Sequence, residues 1–285
     1  MEEIVYLNGS LVPLSQARFS PLDYGFLYGY GLFETMRAYS GRIFRLEKHL
    51  ARLHRSAKFL GIDLDSVPDL EKAVYDTLQA NNLSDARIRL TISGGEGNTI
   101  PDLLARQAPT VLIVARSYSP SSSQVYQQGF RAIVSRIRRN SQSPVSAIKS
   151  LNYLDSLLAR REAKLAGADE AILLNEQGFL AEASTSNIFL VSGNTLLTPS
   201  DDSGILPGIT REAVLEIACS SGVKTMVREI ALEELHQADE AFLTNSVIEI
   251  MPLTQVSGQV IGPGRAGKIT QQLMGGYKAL VEQTG

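Results

Sequence analysis

Ala86-Arg87-Ile88-Arg89-Leu90-Thr91-Ile92 alternates apolar and polar residues without a break. A period of two is the pattern of a half-buried strand, with Arg87, Arg89 and Thr91 on the face turned away from the core. Upstream the period changes to that of a helix. Leu46, Leu50, Leu53, Ala57 and Leu60 recur at helical spacing and stop at Gly61, a residue suited to a left-handed helix end. Lys48, Arg52 and Arg55 lie off that stripe and are expected to face something other than the core. A second helix is expected around residues 69–80. The chain opens with two short strand-like runs, Ile4 to Leu7 and Ser10 to Pro13, about Asn8-Gly9, a strong hairpin signal. Downstream, Thr110 to Ala115 is a continuous apolar and β-branched run expected as a central strand. It leads into Ser117-Tyr118-Ser119-Pro120-Ser121-Ser122-Ser123, which reads as a linker.

The second half is expected to hold a strand near residues 130–136 and a helix from about Asn152 to Ala166. Strands at Ala171 to Leu174 and Ile188 to Val191, separated by turn residues, should follow. A helix from Thr210 to Ser220, short strands and a last helix after Gly267 complete the pattern. Strands and helices mix without a steady βαβ rhythm, and no G-x-G-x-x-G follows a strand to open a helix. The pattern is therefore α+β. A chain of 285 residues is about twice the usual domain size, so two domains are expected. We place a small N-terminal α/β domain at residues 1–117, a linker at 118–124 and a larger C-terminal domain at 125–285.

Composition narrows the function classes. A hydrophobic share of 44% with 20% charged residues suits a packed globular chain. The net charge of −3 supplies no positive field for a phosphate backbone, so nucleic acid is not an expected partner. The one cysteine, Cys219, cannot form an internal disulfide; it reads as helix packing and fits a reducing, cytoplasmic setting. No leader pattern precedes the first strand and no apolar run is long enough to span a bilayer. His49, His54 and His236 lack metal-ligand spacing and there is no G-x-S-x-G elbow, so neither a metal site nor Ser-His-Asp chemistry is expected.

Three segments do suggest chemistry. Gly204-Ile205-Leu206-Pro207-Gly208-Ile209-Thr210 leads into a helix that Thr210 can cap, either an ordinary cap or an anion cradle. Lys149 ends an apolar approach and is expected to begin a helix, partly out of water, where an amine suits Schiff-base formation. Glu182 sits among small residues between strand-like runs, an odd place for a carboxylate without a cationic partner. Pyridoxal 5′-phosphate needs all three: an amine for its aldehyde, a carboxylate for its ring nitrogen and a cradle for its phosphate.

At this point the sequence resembles the class IV aminotransferases, the fold-type IV pyridoxal-phosphate enzymes. The likeness rests on Lys149-Ser150-Leu151-Asn152-Tyr153, Glu182 to Phe189, Gly208-Ile209-Thr210, and Thr244-Asn245-Ser246 with Glu249-Ile250. It extends upstream through Tyr24 to Thr35 and His49-Leu50-Ala51-Arg52-Leu53, so nearly the whole chain is covered in order. The resemblance implies a two-domain α+β fold like that of D-amino-acid aminotransferase, with the cofactor in the interdomain cleft. It also implies a homodimer in which loops of one subunit complete the other's site.

By the same resemblance, Lys149 would bind the cofactor aldehyde and then carry the proton between substrate and cofactor, and Glu182 would pair with the pyridine nitrogen. Arg52 would hold the phosphate together with Gly208, the backbone of Ile209, Thr210, Asn245 and Ser246. Tyr153 would hydrogen-bond the ring hydroxyl. Tyr28, Phe33 and Arg89 match substrate-pocket positions of branched-chain enzymes, although a strand arginine such as Arg89 could equally pair with an acid. Ile92 to Asn98 lacks the R-x-H carboxylate trap of D-alanine-type enzymes, which puts that specificity in doubt. The activity so implied is amino transfer between an amino acid, branched-chain type favoured, and a 2-oxo acid through pyridoxamine phosphate. The alternative is a 4-amino-4-deoxychorismate lyase releasing 4-aminobenzoate and pyruvate, which Arg87 to Ser93 and Leu243 to Pro252 also resemble.

Overall fold

The computed structural model describes residues 2–98, 102–103 and 108–283. Contacts divide the chain into two compact units: Met1–Ser119 with Ile148–Asn152, and Pro120–Ala147 with Tyr153–Gly285.

The first unit contains β1 (Ile4–Leu7), β2 (Ser10–Pro13), α1 (Tyr24–Tyr28), β3 (Gly31–Tyr39) and β4 (Arg42–Ile43). They are followed by α2 (Leu46–Leu60), α3 (Leu70–Ala80), β5 (Ala86–Ser93) and β6 (Thr110–Ser117). The strands form one antiparallel sheet in the order β2-β1-β6-β5-β3-β4. The hairpin turn has Asn8 at φ 47° and Gly9 at φ 94°, the positive values a tight two-residue turn demands. Alternation sorts the sheet's faces. Leu32, Met36 and Ala38 of β3 and Ala86, Ile88, Leu90 and Ile92 of β5 join Leu46, Leu53 and Ala57 of α2 and Val74 and Leu78 of α3 in one core. Each Leu, Ile, Val or Met side chain among them contributes roughly 1.5–3 kcal/mol on burial. The opposite face carries Phe33, Thr35 and Arg37 of β3 beside Arg87, Arg89 and Thr91 of β5.

The second unit contains α4 (Ser123–Gln128), β7 (Phe130–Arg139), α5 (Leu154–Leu165), β8 (Glu170–Asn175), β9 (Leu180–Ala183), β10 (Asn187–Ser192) and β11 (Thr195–Thr198). It continues through α6 (Ile209–Ser220), β12 (Lys224–Val227), α7 (Leu232–Gln237), β13 (Glu240–Asn245), β14 (Glu249–Val256), β15 (Gln259–Val260) and α8 (Lys268–Gln283). Its sheet is mixed, in the order β12-β11-β10-β13-β14-β7-β8-β9 with β15 on β14. Parallel pairs at β14–β7, β7–β8 and β11–β12 interrupt an otherwise antiparallel arrangement, with α5 in the crossover from β7 to β8 and α6 in that from β11 to β12. Leu180, Ile188, Leu190, Leu243, Leu253 and Val256 form the main core, and Ala159 and Ala163 of α5 pack on Ala171 and Leu173 of β8.

Several local expectations change. Glu182 lies on strand β9 rather than between strands, paired opposite Leu173 of β8. Lys149 does not begin a helix; α5 starts at Leu154. Gly208, with an extended ψ of 136°, is the cap of α6, so Thr210 falls inside the first turn. Cys219 is exposed near the end of α6 rather than packed.

Candidate active site

Lys149 is held against the edge of the first sheet. Phe33 N–H donates to Lys149 O at 2.9 Å, Leu151 N–H donates to Gly31 O at 2.9 Å, and Leu32 and Ser150 form a bridge between them. This pairing places the residue after Ile148 on the sheet face opposite the core. There Lys149 Nζ lies 4.5 Å from the centre of the Phe33 ring, and the Arg89 guanidinium lies 3.9 Å from the same ring. Phe33 is only 3% exposed, so an amine and a guanidinium converge on a buried aromatic surface. Tyr28 ends α1, is exposed, and its ring stands edge-on to Tyr24 with centroids 5.5 Å apart.

Arg52 departs from the expectation drawn from the helix stripe. It is buried with His49 and Ser56 under the core face of the sheet, on the side of α2 that meets β3. The reason is Glu34, a 1% exposed carboxylate between the core residues Leu32 and Met36. Arg52 Nε and Nη2 donate to its two oxygens at 2.8 and 2.6 Å, and His49 Nδ1 lies 2.7 Å from Oε2. Burial alone would raise the Glu34 pKa, but Arg52 and the His49 hydrogen bond carry it down to about 2. Burial pushes the His49 pKa down against the pull of Glu34, and the Arg52 and Lys149 charges lower it further. The helix therefore presents Arg52 as a fixed cation, a geometry a phosphate oxygen pair suits.

In the second unit, Glu182 is 9% exposed and gripped at both oxygens. Arg139 Nη2 lies 3.0 Å from Oε1, and Leu206 N–H donates to Oε2 at 3.0 Å. Tyr153 donates to Ser184 O at 3.3 Å; burial, then Glu182 and Glu170, push its phenol pKa up. Glu170 in turn receives the hydroxyls of Ser184 and Thr185, pinning the loop after β9.

The turn into α6 has no room for a side chain at Gly208. A Cβ there would lie 2.0 Å from Asn187 Oδ1, and Asn187 is tied by its Nδ2 donating to Leu206 O at 2.9 Å. Ile209 and Thr210 are buried in the first turn, whose N–H groups and dipole favour an anion. Gly208→Ala is expected to lower cofactor affinity about tenfold, a cost of ~1.4 kcal/mol. Titration of the apoprotein checks this, and unchanged affinity would show that the turn tolerates a side chain. Asn245 works on its own turn: its Oδ1 accepts Val247 and Ile248 N–H at 2.8 and 2.9 Å, and its Nδ2 donates to Thr185 O and Ser186 Oγ. Ser246 is half-buried beside it.

Sequence reasoning missed Glu34 and Arg139. Glu34 had a signal, an acid at a position where alternation along β3 demands an apolar residue. Arg139 had none, since it is one of three arginines in Arg136-Ile137-Arg138-Arg139 and nothing local sets it apart. Among the described residues no His/Cys/Asp/Glu group could hold a metal ion, and no helix is long and apolar enough to cross a membrane. The donor set fits pyridoxal phosphate instead: a half-buried amine at Lys149, a gripped carboxylate at Glu182, and a side-chain-free turn at Gly208.

Comparison with known proteins agrees. Residues 31–256 match the family model described as amino-transferase class IV. A Methanocaldococcus jannaschii protein, provisionally named a branched-chain-amino-acid aminotransferase, is 39% identical over 99% of this chain and 97% of its own length. The aminodeoxychorismate lyase of Bacillus subtilis is 37% identical over 96% of this chain and 94% of its own. The crystal structure of a T.th. branched-chain amino acid aminotransferase with pyridoxamine 5′-phosphate superposes with a TM-score of 0.93 at 31% identity, covering 99% of this chain and 95% of the other. With the order of motifs, the fold and the donor set in agreement, the chain belongs to the class IV aminotransferase family, whose cofactor is pyridoxal 5′-phosphate.

Proposed function

We propose that this protein transfers an amino group from an amino acid of branched-chain type to a 2-oxo acid. The observation that carries the reading is the convergence of Lys149 Nζ and the Arg89 guanidinium on the Phe33 ring, at 4.5 and 3.9 Å. An amine beside a guanidinium suits an amino-acid substrate: one group works at Cα and the other meets a carboxylate.

Pyridoxal phosphate, when bound, supplies an aldehyde that links to an amine and a ring that accepts the electron pair released at Cα. Lys149 Nζ provides the amine and then moves the proton from the substrate's Cα. Glu182 holds a proton at the ring nitrogen, and Tyr153 hydrogen-bonds the ring hydroxyl. Arg52, the N–H of Ile209, Thr210 and Ser246 bind the phosphate, while Gly208 and Asn245 shape the turns that carry them. Phe33 excludes water beside Lys149 Nζ, Arg89 binds substrate carboxylate, and Tyr28 borders the substrate.

Domain limits at 1–117 and 125–285, a cytoplasmic setting and a homodimer belong to the same proposal. Support for the dimer comes from α5, where Leu154, Leu157 and Leu158 are exposed on the side away from Ser156, Ala159 and Ala163. A monomeric mass at micromolar concentration would count against it.

Loaded protein mixed separately with L-leucine, L-glutamate, D-alanine and aminodeoxychorismate distinguishes the activities. Conversion of the near-visible band to that of the pyridoxamine form by L-leucine is expected. A persistent band with pyruvate and 4-aminobenzoate accumulating from aminodeoxychorismate would identify a lyase instead.

A further inference from the structure

Arg139, the last residue of β7, binds three separate parts of the second unit. Its Nη2 is 3.0 Å from Glu182 Oε1 and donates to Ser146 O at 2.9 Å, and its Nε donates to Gly204 O at 3.2 Å. Ser146 lies in the turn Pro144–Ala147 that leads to Lys149, and Gly204 begins the segment that reaches Leu206 and the cap of α6 at Gly208. One guanidinium thus ties the carboxylate strand to the approach of the amine and to the approach of the phosphate turn. A planar fork can satisfy these acceptors together, which a point charge cannot do.

Glu182 itself would be free to rotate with a single partner. Arg139 on one oxygen and Leu206 N–H on the other fix its plane. The Tyr153 phenol, which donates to Ser184 O, is kept protonated and uncharged by burial and by the Glu182 and Glu170 charges, so positive charge at 3.0 Å from Glu182 comes from Arg139. A buried carboxylate left without such a partner pays a large desolvation cost.

We propose that Arg139 is a positioning residue for the cofactor ring: it orients the Glu182 carboxylate and shares its charge, moderating how strongly that carboxylate holds the proton on the ring nitrogen. The inference rests on the assignment of Glu182 made above. Arg139 touches neither substrate nor cofactor in this role; it acts through Glu182.

The test compares holoenzyme of the wild type with Arg139→Gln, Arg139→Lys and Glu182→Gln. Two quantities are read: the pH midpoint of the bound cofactor's near-visible band, and the apoprotein's affinity for pyridoxal phosphate. Loss of a positive charge near the ring favours the protonated form, so Arg139→Gln is expected to raise the midpoint by about one pH unit. Affinity should fall about tenfold, or ~1.4 kcal/mol. Arg139→Lys keeps the charge but not the fork, so the midpoint should hold while affinity falls. If Arg139→Gln does not fold, the lysine variant decides, and wild-type affinity in it overturns the proposal. A midpoint that moves in Glu182→Gln but not in Arg139→Gln overturns the role of Arg139 alone. A midpoint unmoved in Glu182→Gln removes the assignment of Glu182 and this inference with it.

Discussion

Lys149→Ala is expected to abolish turnover, by at least about 10⁴-fold, and to remove the near-visible absorbance of the cofactor-loaded protein. On the assignment proposed for Lys149, the amine that links to the aldehyde and the base that moves the Cα proton are the same atom, so one substitution deletes both functions. Neighbouring groups do not replace it. Arg89 shares the Phe33 ring, but a guanidinium stays protonated and cannot serve as the nucleophile. The fold should survive, because the backbone pairing of Lys149 with Phe33 and the bridge of Ser150 to Leu32 remain when the side chain is removed. The phosphate contacts proposed for Arg52 and the α6 turn should also persist, so the variant should retain weak, non-covalent affinity for the cofactor. Retained turnover together with retained absorbance would sink the assignment of Lys149.

Glu34→Ala is expected to be the most destabilising of the substitutions considered. It leaves Arg52 buried without its carboxylate, and breaking a buried pair by removing one partner costs about 3–5 kcal/mol. For a chain of this size that lowers the melting temperature by roughly 5–15 °C. Glu34→Gln keeps the shape but not the charge and should fall between the alanine variant and the wild type. The pH dependence follows from the sign of the shift. Glu34 titrates at about 2 in the folded protein, below the ~4.3 of an unfolded glutamate. Its contribution is complete above the unfolded value and is lost as pH falls toward 2. The stability gap between wild type and Glu34→Gln, measured by denaturant unfolding, should therefore narrow as pH falls from about 4.5 toward 2. A cost under about 1 kcal/mol at pH 7, or a gap independent of acid, would show that the cluster is not coupled as its 2.6–2.8 Å contacts indicate.

The two kinds of residue differ in how far they could be read in advance. Local periodicity identified the 4–13 hairpin, the helix ending at Gly61 and the alternating strand at 86–92, because each depends on neighbours within a few residues. The motifs at Lys149, Glu182 and Gly208 stand out in the sequence because amine, carboxylate and glycine turn have few shared uses. The burial of Arg52 does not. A helix stripe counts apolar residues and sets Arg52 off the core face, whereas Glu34 on β3 makes a dry polar site possible there.

Composition and order of residues thus settled the α+β class, the two helices and central strand of the first unit, and the family with its cofactor. Long-range packing settled the rest. That Lys149 pairs with β3 depends on a contact between residues far apart in the chain, Phe33 N–H and Lys149 O. That Glu182 has Arg139 at 3.0 Å depends on parallel pairing of β7 with β8 and antiparallel pairing of β8 with β9. Neither neighbour is encoded in a local period, because strand order is chosen by the burial of whole faces rather than by any one segment's preference.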